Sequence, residues 1–321
     1  MPQASPSGRI LRLPGDRQIS LEQSGDPQGV PVFLHHGVPG SGDGPKPRAG
    51  VLYRLGINLI SYDRPGYGRS TPQPGRRVAD AARDLALIAD HLRLETFAVI
   101  GRSGGGPHAL ACAALLPDRV TKVAVMVSVA PSDAIGLDWF GQMVDSNVAA
   151  YRAASTDQAR LVEHLRLRAG RVRDDPAYLM EQLRREMTPA DLSIVDDETI
   201  REQLLRTYRK ALGEGPHGWI DDVLALRGDW GFRLEEITVS VRLWHGADDR
   251  FAPVSHTRWL AERIPTATME VQPGVAHFGA LQVLPQLLAW LAAGRLPFST
   301  GRAAGAAGAG RVAPQQSGGS P

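Results

Sequence analysis

The chain has 321 residues, of which 43% are hydrophobic and 22% charged. A chain of this size buries about 75% of its unfolded surface, so a large core is expected and collagenous, coiled-coil or wholly disordered classes are excluded. The 36 Lys+Arg against 34 Asp+Glu leave a net charge of +2, too even a balance for a nucleic-acid or anionic-membrane footprint.

From the N-terminus, Met1 to Arg9 is polar and lacks the apolar core of a signal peptide, so a cytoplasmic protein is expected. Residues 8–13 and 18–23 flank Pro14-Gly15-Asp16 and suggest an antiparallel pair. Residues 30–34 and 57–62 are nearly continuous apolar runs, the pattern of strands buried on both faces. Val78, Ala81, Ala82, Leu85, Ile88 and Leu92 recur at helical spacing. A strand at 97–100 then runs into Gly101, a small-residue helix covers 105–116, and a strand covers 122–129. Strands alternating with helices predict an α/β fold, a mostly parallel central β-sheet flanked by helices. The single cysteine, Cys112, lies in the Ala/Leu-rich helix and reads as a small buried hydrophobe.

The rhythm changes after Pro131. Candidate helices at 139–153, 158–168, 177–187, 198–212 and 219–226 follow one another with no convincing strand. So long a helical stretch between two sheet strands reads as an inserted cap, residues 131–236, within a core of residues 1–130 and 237–297. The sheet pattern resumes at 237–244, followed by a helix at 256–264, a strand at 268–272 and a closing helix at 281–292. Residues 271–294 carry no charge, but Gln272, Pro273, His277, Gln282, Pro285 and Gln286 interrupt them, so no membrane span is expected. Residues 298–321 are Gly/Ala-rich and are expected to be a disordered tail.

The stretch Gly101-Arg102-Ser103-Gly104-Gly105 sits between an apolar strand and a small-residue helix. A serine on a sharp strand-to-helix turn projects its hydroxyl at the sheet edge, and the flanking glycines remove side chains that would clash there. Such a nucleophile needs a histidine base, a carboxylate to orient it, and donors for the oxyanion. His91, His164 and His217 lie in helical stretches, and His108 lies within the helix after Ser103. His277 instead stands on a loop between the last strand and the closing helix, at the same sheet edge as Ser103. For the carboxylate, Asp249, Asp248 and Asp133 all lie on loops leaving strands and remain open on the residues alone. The order Ser103, Asp249, His277 matches one known arrangement of this triad. The backbone amides of Val38, in His36-Gly37-Val38-Pro39-Gly40, and of Gly104 are the expected oxyanion donors. For Arg102, a salt bridge to the cap is favoured over contact with an acidic substrate group.

Together these residues resemble the α/β-hydrolase family, over residues 8–297. The resemblance rests on His36 to Gly40, on Asp63-Arg64-Pro65-Gly66-Tyr67-Gly68-Arg69-Ser70, on the Ser103 turn, and on Gly246 to Pro253 with His277. It implies an α/β-hydrolase fold with a helical cap, and Asp249 as the acid rather than Asp248. It also implies a structural role for Asp63, no cofactor or metal, and a small-molecule substrate. The activity it implies is serine-dependent cleavage of a carboxylic ester, lactone or related acyl bond. Three alternatives stand beside it. One is a prolyl-type aminopeptidase, with Glu163 or Glu181 binding the free amine, although Val38 and Gly104 replace the glycine and tryptophan typical of that group. The others are a lyase on the same triad and a ligand-binding member without turnover.

Overall fold

The chain opens with two short strands, Arg9–Arg12 (β1) and Gln18–Gly25 (β2), paired antiparallel across the Pro14-Gly15-Asp16 turn. These begin the computed structural model's description of the protein, which covers residues 8–293. Residues 1–7 and the expected tail at 298–321 lie outside the described residues.

Six further strands follow: Val30–His35 (β3), Ile57–Tyr62 (β4), Phe97–Arg102 (β5), Val120–Met126 (β6), Ser240–Gly246 (β7) and Ala267–Gln272 (β8). They complete an eight-stranded sheet in the order β1-β2-β4-β3-β5-β6-β7-β8, antiparallel across β1, β2 and β4 and parallel elsewhere. The α/β architecture expected from the alternating pattern is therefore the one observed. Every residue of β4 is buried, Asn58 and Ser61 included, as a nearly continuous apolar run implies, whereas the edge strand β8 alternates between half-buried and exposed residues.

Side-chain alternation along the strands divides the core into two layers. Val32, Leu59, Ile100 and Ala124 face Leu52 of the helix Ala49–Arg54 (α1) and Leu284, Leu287 and Leu288 of the helix Ala280–Ala292 (α11). Phe33, Ile60, Val99 and Val125 face the other layer, with Leu85 and Ile88 of Asp80–His91 (α2) and Leu110 of Gly105–Leu115 (α3). Burying each such aliphatic side chain contributes roughly 1.5–3 kcal/mol relative to leaving it in water.

Between β6 and β7 stand six helices: Asp145–Thr156 (α4), Gln158–Asp174 (α5), Ala177–Arg184 (α6), Pro189–Val195 (α7), Glu198–Gly213 (α8) and His217–Arg227 (α9). Asp157, Thr188 and Asp197 cap α5, α7 and α8 by accepting backbone N–H bonds from the first turns. The helix Val254–Ala261 (α10) joins β7 to β8.

Several boundaries differ from the sequence expectation. The helix expected from 139 starts at Asp145, because Trp139 is tied back by its indole N–H to the Ala130 carbonyl at 3.0 Å. The strand expected to reach 129 ends at Met126, where Val127 turns to φ 47°. The short helices α1 and α7 were too brief for a periodic signal, although Thr188-Pro189 is a good helix start.

Parallel pairing sets where a site can form. Arg102 lies opposite Met126, and Met126 opposite Trp244, so β5, β6 and β7 end level with one another. The loops after β3, β5, β7 and β8 emerge at this carboxyl edge, the usual place for ligands on such sheets. Among the described residues, no helix is long and apolar enough to cross a membrane.

Candidate active site

Ser103 occupies the turn between β5 and α3 with φ 54°, a left-handed conformation uncommon for a residue with a side chain. The turn is held because the Ser103 amide donates to the Met126 carbonyl and its own carbonyl accepts from Gly106, both at 2.8 Å. Its packing leaves no room for side chains on either flank. A Cβ on Gly101 would stand 2.3 Å from the Gly105 carbonyl oxygen, and one on Gly105 would stand 2.3 Å from that of His35. The spacing of glycines around the serine is thus a steric requirement of the turn.

His277 begins a single 3₁₀ turn after β8, and its Nδ1 donates to Asp249 Oδ2 at 2.8 Å. The other carboxylate oxygen accepts the amides of Phe251 and Ala252, at 2.8 and 3.0 Å. His245 Nε2, which donates to the Ala252 carbonyl at 2.6 Å, also lies 3.2 Å from Oδ2. Burial pushes the Asp249 pKa up, but the His277 charge and the hydrogen bonds from His245 and His277 outweigh it and hold the carboxyl well below its usual range. Asp249 is buried, whereas Asp248 and Asp133 are exposed. Of the three aspartates open in the sequence, Asp249 is the one brought to His277. With Nδ1 engaged, Nε2 is the ring nitrogen left to take a proton. Among the described residues, the Ser103 hydroxyl and the His277 ring are not hydrogen-bonded to each other; such contacts commonly tighten only when substrate is bound.

The loop after β3 is fixed from below by Arg64. Its guanidinium donates to the carbonyls of His36 and Gly37 at 2.6 and 3.2 Å. Asp222, on α9, accepts from Arg64 Nη2 at 2.6 Å and pairs with Arg76 at 2.7 Å, and all three side chains are buried. Burial opposes ionisation of Asp222, yet the charges of Arg64 and Arg76 hold its carboxyl far below the ordinary range. Above this clamp, Val38 Cγ2 lies 2.4 Å from where a Cβ on Gly104 would stand, so the two residues are in direct contact. Neither the Val38 nor the Gly104 amide donates to another group among the described residues. Gly104 also stands at the N-terminal end of α3, where helix amides favour negative charge.

Sequence reasoning missed Arg64, Asp222 and Asp191 as parts of this arrangement. Asp191, on α7, accepts the Phe278 amide at 2.8 Å and so braces the residue next to His277. Burial raises its pKa. The one signal was an acidic residue three positions after Thr188, which the Thr188 cap explains equally well. Asp63 behaves as the resemblance implies, accepting the Gly42 amide at 2.7 Å and tying two loops together. The salt bridge expected from Arg102 to the inserted helices is not formed among the described residues, because no carboxylate faces its guanidinium.

A family model described as alpha/beta hydrolase fold matches residues 30–282, and the chain belongs to that family. The Cupriavidus pinatubonensis 2-hydroxy-6-oxononadienedioate/2-hydroxy-6-oxononatrienedioate hydrolase is 27% identical over 251 residues, 77% of this chain and 80% of that protein. A non-heme chloroperoxidase of Streptomyces lividans is 27% identical over 288 residues, 84% of this chain and 92% of its own. Among solved structures, the enol-lactonase from Burkholderia xenovorans shares the fold with a TM-score of 0.63 at 17% identity, covering 87% of this chain and 96% of that one. By fold and relatives, the chain is a hydrolytic enzyme.

Proposed function

We propose that the protein is a cofactor-independent serine hydrolase that cleaves a carboxylic ester, lactone or related acyl bond through an acyl-enzyme on Ser103. The observation that carries this reading is the 2.8 Å bond from His277 to a buried Asp249 at the sheet edge that also presents Ser103. His277 Nε2 takes the Ser103 proton as Oγ attacks the carbonyl, while Asp249 holds the ring's tautomer and stabilises the imidazolium. The Val38 and Gly104 amides receive the tetrahedral oxyanion, each donor being worth about 3–4 kcal/mol of the barrier. His277 then gives its proton to the leaving alcohol, and a water deprotonated by the same ring releases the acid and restores Ser103.

The six inserted helices act as a cap over this edge. Leu226 of α9 reaches 3.2 Å from a Cβ position on Gly104, and Asp191 of α7 holds the Phe278 amide, which supports that role. The aminopeptidase reading finds no such support. Glu163 and Glu181, its candidate amine-binding acids, are exposed, and the residue beside the nucleophile is a cation.

The test combines turnover of p-nitrophenyl butyrate with labelling by a fluorophosphonate probe. The wild type is expected to hydrolyse the ester and to be labelled at Ser103. The Ser103→Ala variant is expected to lose turnover by about 10⁴-fold or more and all labelling. Ester hydrolysis that persists in Ser103→Ala would remove this serine from the chemistry.

A further inference from the structure

We infer that Arg102 forms a carboxylate-binding subsite beside Ser103, so that the preferred substrates are acyl compounds carrying a second, anionic group. This rests on the serine-hydrolase reading and names the substrate class for the same site.

The protein's other described arginines that are not exposed meet a carboxylate or an aromatic ring. Arg64 and Arg76 share Asp222, Arg17 pairs with Asp84 at 2.8 Å, and Arg119 pairs with Asp90 at 2.6 Å. Arg168 and Arg227 instead lie over the rings of Trp219 and Trp139, at 5.1 and 4.4 Å. Among the described residues, Arg102 has neither an acidic partner nor a ring beneath it. It is nevertheless partly buried, and burial lowers its pKa while only Tyr208 acts in the other direction. A guanidinium stays charged in proteins, so here a cation is drawn out of water without a counter-charge.

Position gives this charge a use. Arg102 directly precedes Ser103, and its Nη2 comes within 3.8 Å of the point where a Cβ on Gly37 would stand. The Ser103 Cβ approaches that same point to 3.6 Å. The guanidinium and the nucleophile therefore flank one glycine of the loop that offers the Val38 amide. Arg102 itself is only half-buried, so its side chain is not sealed inside the protein as those of Arg64 and Arg76 are.

The partner that fits is an acceptor with negative charge. A carboxylate can take two parallel N–H bonds from a guanidinium, and it neutralises the half-buried cation as it binds. A neutral ester leaves that cation unpaired, and an ammonium group is repelled by it. Each charge-assisted bond contributes roughly 1.5–3 kcal/mol, equivalent to about 10- to 100-fold in preference.

Three acyl probes of matched length, p-nitrophenyl butyrate, mono-p-nitrophenyl glutarate and p-nitrophenyl 4-(trimethylammonio)butyrate, test the charge on the acyl side. 4-Acetoxybenzoate beside phenyl acetate tests it on the alcohol side. Wild-type kcat/KM is expected to favour at least one anionic ester over its neutral partner by about tenfold or more, and to disfavour the cationic ester. Arg102→Gln is expected to cut the anionic-to-neutral ratio by about tenfold, mainly through KM, with Arg102→Lys restoring part of it. A wild-type ratio near unity on both sides, or a ratio unmoved by Arg102→Gln, overturns the subsite. If Arg102→Gln fails to fold, the wild-type charge series and Arg102→Lys decide by the same criteria. Labelling of Ser103 with a flat charge profile sinks the subsite alone, whereas absence of labelling and ester turnover sinks both readings.

Discussion

Asp249 and Asp222 are two sealed carboxylates near the same sheet edge, both held well below the ordinary carboxylate range, yet their partners differ in kind. Asp222 is gripped by two guanidiniums, with His108 at 3.6 Å, and no side chain of that group is more than 3% exposed. Its cations are permanent, so the cluster has one charge state, and what it transmits is position: Arg64 carries the clamp to the His36 and Gly37 carbonyls. Asp249 is bound by backbone amides and two imidazoles, one of which, His277, is 13% exposed and keeps a ring nitrogen free. Equal burial thus serves two ends. Fixed charge around a carboxylate makes a strut, whereas an imidazole held beside one is, in the serine-hydrolase reading proposed above, the base.

The largest expected effect separates the two centres directly. Asp249→Asn keeps the shape but favours the wrong His277 tautomer, and is expected to lower kcat by about 10⁴-fold. A loss below about tenfold, measured on the same p-nitrophenyl ester, would put Asp249 outside the catalytic group. Asp222→Asn should act on stability instead. It leaves two buried guanidiniums without a counter-charge and is expected to cost about 3–5 kcal/mol in denaturant unfolding. Full stability combined with an activity loss like that of Asp249→Asn would erase the distinction between strut and base.

A smaller effect sharpens the contrast within α9. Asp221, next to Asp222, is pushed up to about 6 from an ordinary 3.8, chiefly by burial, with Arg76 opposing and the Asp222 charge adding to the rise. Between those values the folded protein holds a proton that the unfolded chain has released, so this group makes stability fall as pH rises through the window. Asp222 and Asp249, both depressed, contribute stability that is present above about 3.8 and lost as pH falls below it. Asp221→Asn is therefore expected to flatten the Tm profile between 3.8 and about 6 and to leave the acid limb below it in place. An unchanged slope through that window would show that Asp221 does not titrate there.

Legibility in the sequence followed the range of the interactions. The bounds of β4 are those of its apolar run, 57–62, because a strand buried on both faces needs nothing but neighbouring apolar residues to announce itself. The Ser103 turn was legible because its glycines are demanded by clashes within five consecutive residues and one adjacent strand. The helix expected from 139 was misplaced because Trp139 answers to Ala130 and to the His256 ring, whose centroid lies 5.0 Å away, and not to its neighbours in a helix. Asp191 was invisible because its partner, the Phe278 amide, lies 87 positions further along.

By itself, the sequence determined the alternation of strands and helices, the strained serine turn, and a short set of candidate acids and bases in a fixed chain order. Those features are local: periodicity, steric exclusion at a turn, and the residue types that strands deliver to loops. The tertiary structure decided which aspartate meets His277, and that Arg64 and Asp222, 158 positions apart, clamp the loop beside Ser103. It also decided that Arg102 meets no carboxylate from the inserted helices. Charge pairing inside a protein depends on which groups share a water-excluded space, and only the folded chain brings them there.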